Sequence, residues 1–129
     1  MTQKDIISQG DNARYYIKIK RDDFHMTRDS WVVNLRWGLP DESLTIEKSD
    51  MQKDSSGRWS FQFNTSRMLG KVEAECVYQI PDIDCPDDFR QEVDSQVICL
   101  VTTSTFTHIM KCKKKCSDVH YVSYERADI

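Results

Sequence analysis

The chain has only four glycines among its 129 residues, and each stands alone. That excludes a phosphate-cradling loop, which needs glycines grouped so that several backbone N–H groups can face one anion. No apolar run approaches the ~18 residues of a membrane span. The first residues, Met1-Thr2-Gln3-Lys4-Asp5, are followed by only two apolar residues, so no signal-peptide core is present. The expectation is a chain made and first folded in a cytoplasm. A basic surplus is also lacking: 18 Lys and Arg face 21 Asp and Glu, a formal charge of −3, which argues against a general nucleic-acid binder. Histidine is scarce. His25, His108 and His120 are the only three, and none lies in a nucleophile motif, so no base is set beside a nucleophile and an orienting acid. There is no amphipathic helix of useful length, no fixed-period repeat and no interdomain linker. The five cysteines are odd in number, which fits free thiols better than a disulfide framework.

What the chain has instead is alternation. In residues 31–37, Trp31, Val33, Leu35 and Trp37 fall on one side, and Val32, Asn34 and Arg36 on the other. In residues 58–63, Trp59, Phe61 and Phe63 oppose Arg58, Ser60 and Gln62. In residues 71–80, Val72, Ala74, Cys76, Tyr78 and Ile80 oppose Lys71, Glu73, Glu75, Val77 and Gln79. A period of two places one face on a core and the other in water.

Further strands are expected at Ile6-Ile7, at 13–21 with Tyr15, Ile17 and Ile19 inward, at 44–48 as a short edge, and at 91–103. Residues 97–101 of the last are apolar on both faces and predict a central position. Turn signals separate these segments: Gly10-Asp11-Asn12, Gly38-Leu39-Pro40-Asp41, the Asp-Ser-Ser-Gly cluster before Arg58, and a tight turn or single helical turn over 64–70. The sum is an all-β sandwich of about seven strands over residues 1–103. Residues 104–129 form a C-terminal extension. Within it, 106–112 and 119–124 predict a hairpin across Lys113-Lys114-Lys115 that packs on the sandwich or on a partner.

Three constellations bear on chemistry. His108, Cys112, Cys116 and His120 are zinc-ligand types, but four residues along a strand span about 13 Å. Zinc ligands must all come within about 2.3 Å of one ion. A regular hairpin cannot bring the four together, so no metal or other cofactor is expected. Cys112 and Cys116 alone face each other across the lysine turn, at a spacing that a disulfide could bridge. As free thiols they would be the most reactive in the chain, because neighbouring lysines favour the thiolate. The acidic loop Asp82-Ile83-Asp84-Cys85-Pro86-Asp87-Asp88 lacks the glycine and bidentate acid of a calcium loop and reads as a solvated turn. Trp31, Trp37 and Trp59 could line a sugar site, but their alternation matches burial in a core.

The order of elements resembles the phage baseplate upper protein N-terminal domain family. The resemblance is carried by Asp5-Ile6-Ile7-Ser8-Gln9-Gly10-Asp11-Asn12 leading into a strand, by Gly57-Arg58-Trp59-Ser60-Phe61, and by Met68-Leu69-Gly70-Lys71 leading into Val72-Glu73-Ala74-Glu75. It covers about residues 5–102. It implies an immunoglobulin-like sandwich that builds a viral particle, of a type found in phages and prophages of Bacteroidales. Such domains attach fibres or neighbouring proteins in tail, baseplate, neck or head, often in symmetric copies. No stalk or receptor-binding domain follows in this chain, so the resemblance implies a stand-alone adaptor or decoration protein. It would be assembled in the bacterial host cytoplasm and located in the virion, with other virion proteins and its own copies as partners. No enzymatic activity, specific nucleic acid or membrane span is expected.

For such an adaptor the expected contact residues are Phe24, His25, Met26, Lys113, Lys114, Lys115, Tyr121 and Tyr124, with Cys112 and Cys116 as a redox pair. The competing expectation is a cytoplasmic carbohydrate- or peptide-binding β-sandwich, which would need an exposed aromatic platform.

Overall fold

A computed structural model describes residues 5–38, 42–103 and 120–127. Nine strands form among these residues: β1 (Asp5–Ser8), β2 (Asn12–Ile19), β3 (Trp31–Trp37), β4 (Ser43–Glu47), β5 (Gln52–Lys53), β6 (Trp59–Asn64), β7 (Gly70–Pro81), β8 (Phe89–Thr102) and β9 (Val122–Arg126). They make two sheets, one ordered β1-β8-β7-β3-β4 and the other β5-β6-β2-β9. Pairing is antiparallel throughout except for β1, which runs parallel to β8.

Period-two patterning sets the core. Trp31, Val33 and Leu35 of β3, Tyr15, Ile17 and Ile19 of β2, Phe61 and Phe63 of β6, and all five inward residues of β7 are buried. Each such side chain contributes roughly 1.5–3 kcal/mol by leaving water, so the alternating faces determine which side of each strand points inward. Trp37 and Trp59 are only partly buried and pack against the rim of this core. Cys76 and Cys99 are buried thiols; burial pushes Cys76 up to about 12 and Cys99 up to about 11.

The two sheets are pinned by polar contacts at defined points. Tyr15, on the second sheet, donates its hydroxyl to Asp5 Oδ2 at 2.8 Å and to the Ile98 carbonyl at 3.3 Å, reaching β1 and β8 on the first. The segment between β6 and β7 is a tight turn, with Met68 N–H on the Thr65 carbonyl at 3.0 Å. Thr65 is fully buried, and its Oγ1 accepts from Gly10 N–H at 3.0 Å and donates to the Asp11 carbonyl at 2.7 Å. The β1–β2 and β6–β7 turns are thus locked together.

Two expectations change. The segment 50–57 contains a two-residue strand, β5, as well as a turn. Residues 97–101 are not central along their whole length, because β1 pairs only from Cys99 to Thr102. Over Phe89 to Ile98, β8 is paired to β7 on one side, and among the described residues no strand lies on the other. Beyond residue 103, β9 joins the second sheet. β9 pairs with β2 from Tyr15↔Arg126 to Ile19↔Val122, burying Val122 and setting Tyr124 edge-on to Phe61. The expected partner strand at 106–112 lies outside the described residues.

Candidate functional site

At one end of the sandwich, the start of β3 meets the start of β6. Trp31 and Trp59 pack edge to face there, with ring centroids 5.5 Å apart and planes at 80°. Ile17 lies opposite Trp59 in the β2–β6 ladder. Together Trp59 and Ile17 floor a groove of about 510 Å3, walled by residues 25–28 on one side and by Lys53 and residues 56–58 on the other.

Both walls are preformed. In the segment before β3, the buried Asp29 carboxylate accepts from His25 N–H at 2.9 Å and from Arg28 Nε at 2.9 Å. The Arg28 guanidinium, helped by that N–H, holds the Asp29 carboxyl below its ordinary range. Trp31 Nε1 donates to the Met26 carbonyl at 2.7 Å. Lys48 Nζ donates to the carbonyls of Thr27 and Asp29, and Lys53 Nζ to Thr27 Oγ1. In the opposite wall, Asp54 Oδ1 accepts from the N–H groups of Ser56 and Arg58, both at 2.9 Å. Gly57 sits there at φ +89°, a left-handed conformation that a Cβ would strain.

The groove is cationic in a net-acidic chain. Among the described residues its lining includes Lys18, Arg28, Lys53 and Arg58 and no Asp or Glu. Arg28 is paired with Asp29, and Arg58 with Glu125 at 2.8 Å while it stacks on the Tyr16 ring at 3.6 Å. Among the described residues, neither Lys18 nor Lys53 has a carboxylate partner. The ammonium groups of Lys48 and Lys53 stand 5.8 and 5.6 Å from the Trp59 ring centroid. The chemistry of the groove is that of a surface suited to an anionic group carried beside an apolar one.

The residues expected to make contacts are dispersed. His25 and Met26 line the groove. Phe24 does not reach the surface: its ring is buried edge-on to Tyr78, with centroids 5.3 Å apart, because it closes the end of the core. Tyr124 also points inward, its hydroxyl buried with no hydrogen-bond partner among the described residues and burial raising its pKa far above the ordinary phenol value. Tyr121 is 45% exposed and lies under the Arg21 guanidinium at 4.7 Å. Lys113, Lys114, Lys115, Cys112 and Cys116 lie outside the described residues, as does His108.

His120, the last of the four zinc-type residues, has its Nδ1 2.9 Å from Asp94 Oδ1. The same buried carboxylate also accepts from Gln96 Nε2 and from the N–H groups of Tyr121 and Val122. Its lone pairs are spent holding β9 to β8, and the thiol opposite it in the β7–β8 ladder, Cys76, is fully buried and pushed up to about 12, so it stays protonated. Within that same set, no group of three or more His, Cys, Asp or Glu is placed to hold a metal ion, and no helix is long and apolar enough to cross a membrane.

Lys18, Lys53 and Arg58 were not singled out by their sequence context. Lys18 reads as an ordinary outward strand residue, and Trp59 reads as core. The groove exists only because the 25–28 segment folds against β5 and β6. Comparison with protein-family models, with curated proteins and with solved structures finds no match to this chain.

Proposed function

We propose that the protein is a non-enzymatic assembly domain, an adaptor or decoration protein of a phage particle that joins neighbouring virion proteins. The observation that carries this reading is the one-sided pairing of β8. Over its first ten residues the strand has, among the described residues, no neighbour on one side, and it carries Phe89 at 46% and Val93 at 52% exposure. A partner strand can add to such an edge with main-chain hydrogen bonds for affinity and side chains for specificity.

The strand order supports an immunoglobulin-like identity. β8-β7-β3-β4 matches the G-F-C-C′ order of a variable-type domain, and β5-β6-β2 matches D-E-B. β9 stands beside β2, where strand A stands in such a domain. The glycines in the motifs quoted for the baseplate resemblance stand at strand junctions: Gly10 in the β1–β2 turn, Gly57 leading into β6, and Gly70 opening β7.

The test is incorporation. A tagged chain produced during phage induction is expected in purified particles, and Val93→Lys, which sets a charge on the β8 edge, is expected to be depleted from them. Exclusion of the unaltered chain from particles would overturn the reading.

The groove favours a second reading, a peptide- or carbohydrate-binding sandwich whose ligand is acidic. Saturable quenching of tryptophan emission by an anionic glycan or acidic peptide, lost in Lys53→Ala, would favour it.

A further inference from the structure

The same end of the sandwich carries a second feature with the opposite charge. β7 runs past Tyr78, the partner of Trp31 in the β3–β7 ladder, to Pro81 before turning. The β7–β8 tip therefore projects about 10 Å beyond the level of Trp31, at about 3.3 Å per residue. The tip is closed by Asp82 N–H on the Asp88 carbonyl at 2.8 Å, Cys85 N–H on the Asp82 carbonyl at 3.1 Å, and Asp88 N–H on the Cys85 carbonyl at 3.0 Å. Asp82 is occupied by Arg90 at 2.8 Å and by Asp84 N–H at 3.0 Å. The carboxylates of Asp84, Asp87 and Asp88 meet no cation among the described residues. Between them Ile83 is 87% exposed, the most exposed large apolar side chain among those residues.

This tip is the chemical complement of the groove. It presents a preformed turn whose Asp84, Asp87 and Asp88 carboxylates meet no cation among the described residues, around one apolar side chain, whereas the groove presents Lys53 beside the half-buried Trp59, with Lys18 at its rim on the outer face of β2. Among the described residues, no hydrogen bond or ion pair joins tip to groove within one chain. We propose that two copies of this chain dock end to end, the acidic β7–β8 tip of each lying in the cationic groove of the other. Because tip and groove share one end, a two-fold axis makes both contacts at once, and the interface closes without forming a fibre. Two small contacts dominated by exposed charge give a salt-sensitive dimer at the weak end of specific interfaces. The inference rests on tip and groove alone and stands apart from the virion reading.

The test is sedimentation of the full chain, unaltered and with charges reversed on each side. At about 0.1 M salt, where charges act over about 10 Å, the expected species has twice the chain mass; at about 1 M, where that range falls to about 3 Å, it reverts to the monomer. Lys18→Glu with Lys53→Glu is expected to be monomeric at both salts, as is Asp84→Lys with Asp87→Lys. An equimolar mixture of the two variants restores the dimer, because each acidic tip again meets a basic groove and each basic tip an acidic one. All four positions are on the surface, and unchanged circular dichroism and melting temperature show that folding is not the cause.

An unaltered chain that stays monomeric at low salt, or a mixture that fails to pair, would overturn the proposal. So would a monomer that binds heparin through Lys18 and Lys53, which would assign the groove to an anionic glycan. Because the dimer is read on purified protein and the virion role on particles, failure of one leaves the other standing.

Discussion

Asp94 and His120 are 26 residues apart in the chain and 2.9 Å apart in space. Their contact, with the two backbone N–H groups that share the Asp94 carboxylate, fastens the start of β9 to the first half of β8. Asp94→Ala leaves those donors without their acceptor, and burying unpaired donors is among the few mechanisms that give large losses. The expected cost is about 2–4 kcal/mol in denaturant unfolding. Amide exchange should quicken most at Val122. A loss below about 0.5 kcal/mol, the size of an ordinary surface change, would mean that β9 is held by its ladder with β2 alone.

Tyr124 gives the opposite sign. Its ring packs edge-on to Phe61 while its hydroxyl is buried without a partner among the described residues. Tyr124→Phe keeps the ring and removes the unsatisfied group, so stability is expected to rise by about 1 kcal/mol. A raised melting temperature checks this.

Alkali should unfold the domain ahead of general chemical damage. The ordinary thiol value is 9.0, and burial raises Cys76 to about 12 and Cys99 to about 11. Between these values the unfolded chain loses protons that the folded chain keeps, so stability is fully present below pH 9 and falls as pH climbs towards 11 and 12. Tyr15, Tyr78 and Tyr124, all raised chiefly by burial, add in the same direction. Denaturant midpoints measured from pH 8 to 11 should fall steadily. Cys76→Ala with Cys99→Ala should flatten part of the slope, and in the native chain both thiols should resist alkylation at neutral pH.

The fold was legible wherever one strand face met the core. Trp31, Val33 and Leu35, or Val72 to Ile80, declare their burial by alternation alone. β8 was harder, because its inward face carries Asp94 and Gln96, polar residues whose partners come from β9 and so leave no trace in local periodicity. β9 is short and mixed in composition; the strand expected at 119–124 overlaps it, but its partner, β2, is set only by the fold. The groove was less legible still. His25 and Met26 stood out as a loop tip, but Lys18, Lys53 and Trp59 acquire a shared role only when three separate segments meet. Phe24 and Tyr124 were misread for a related reason, since whether an aromatic residue near a turn faces solvent depends on what the next sheet brings over it.

The most direct test of the central claim is quantitative mass spectrometry of density-purified particles from a phage or prophage that carries this chain. The account predicts the chain at a fixed ratio to the major capsid protein, and the ratio itself separates a many-copy head decoration from a few-copy neck or tail part. Finding the chain only in the host lysate, with none in the particles, would contradict the account and leave the groove as the binding site of a cellular module.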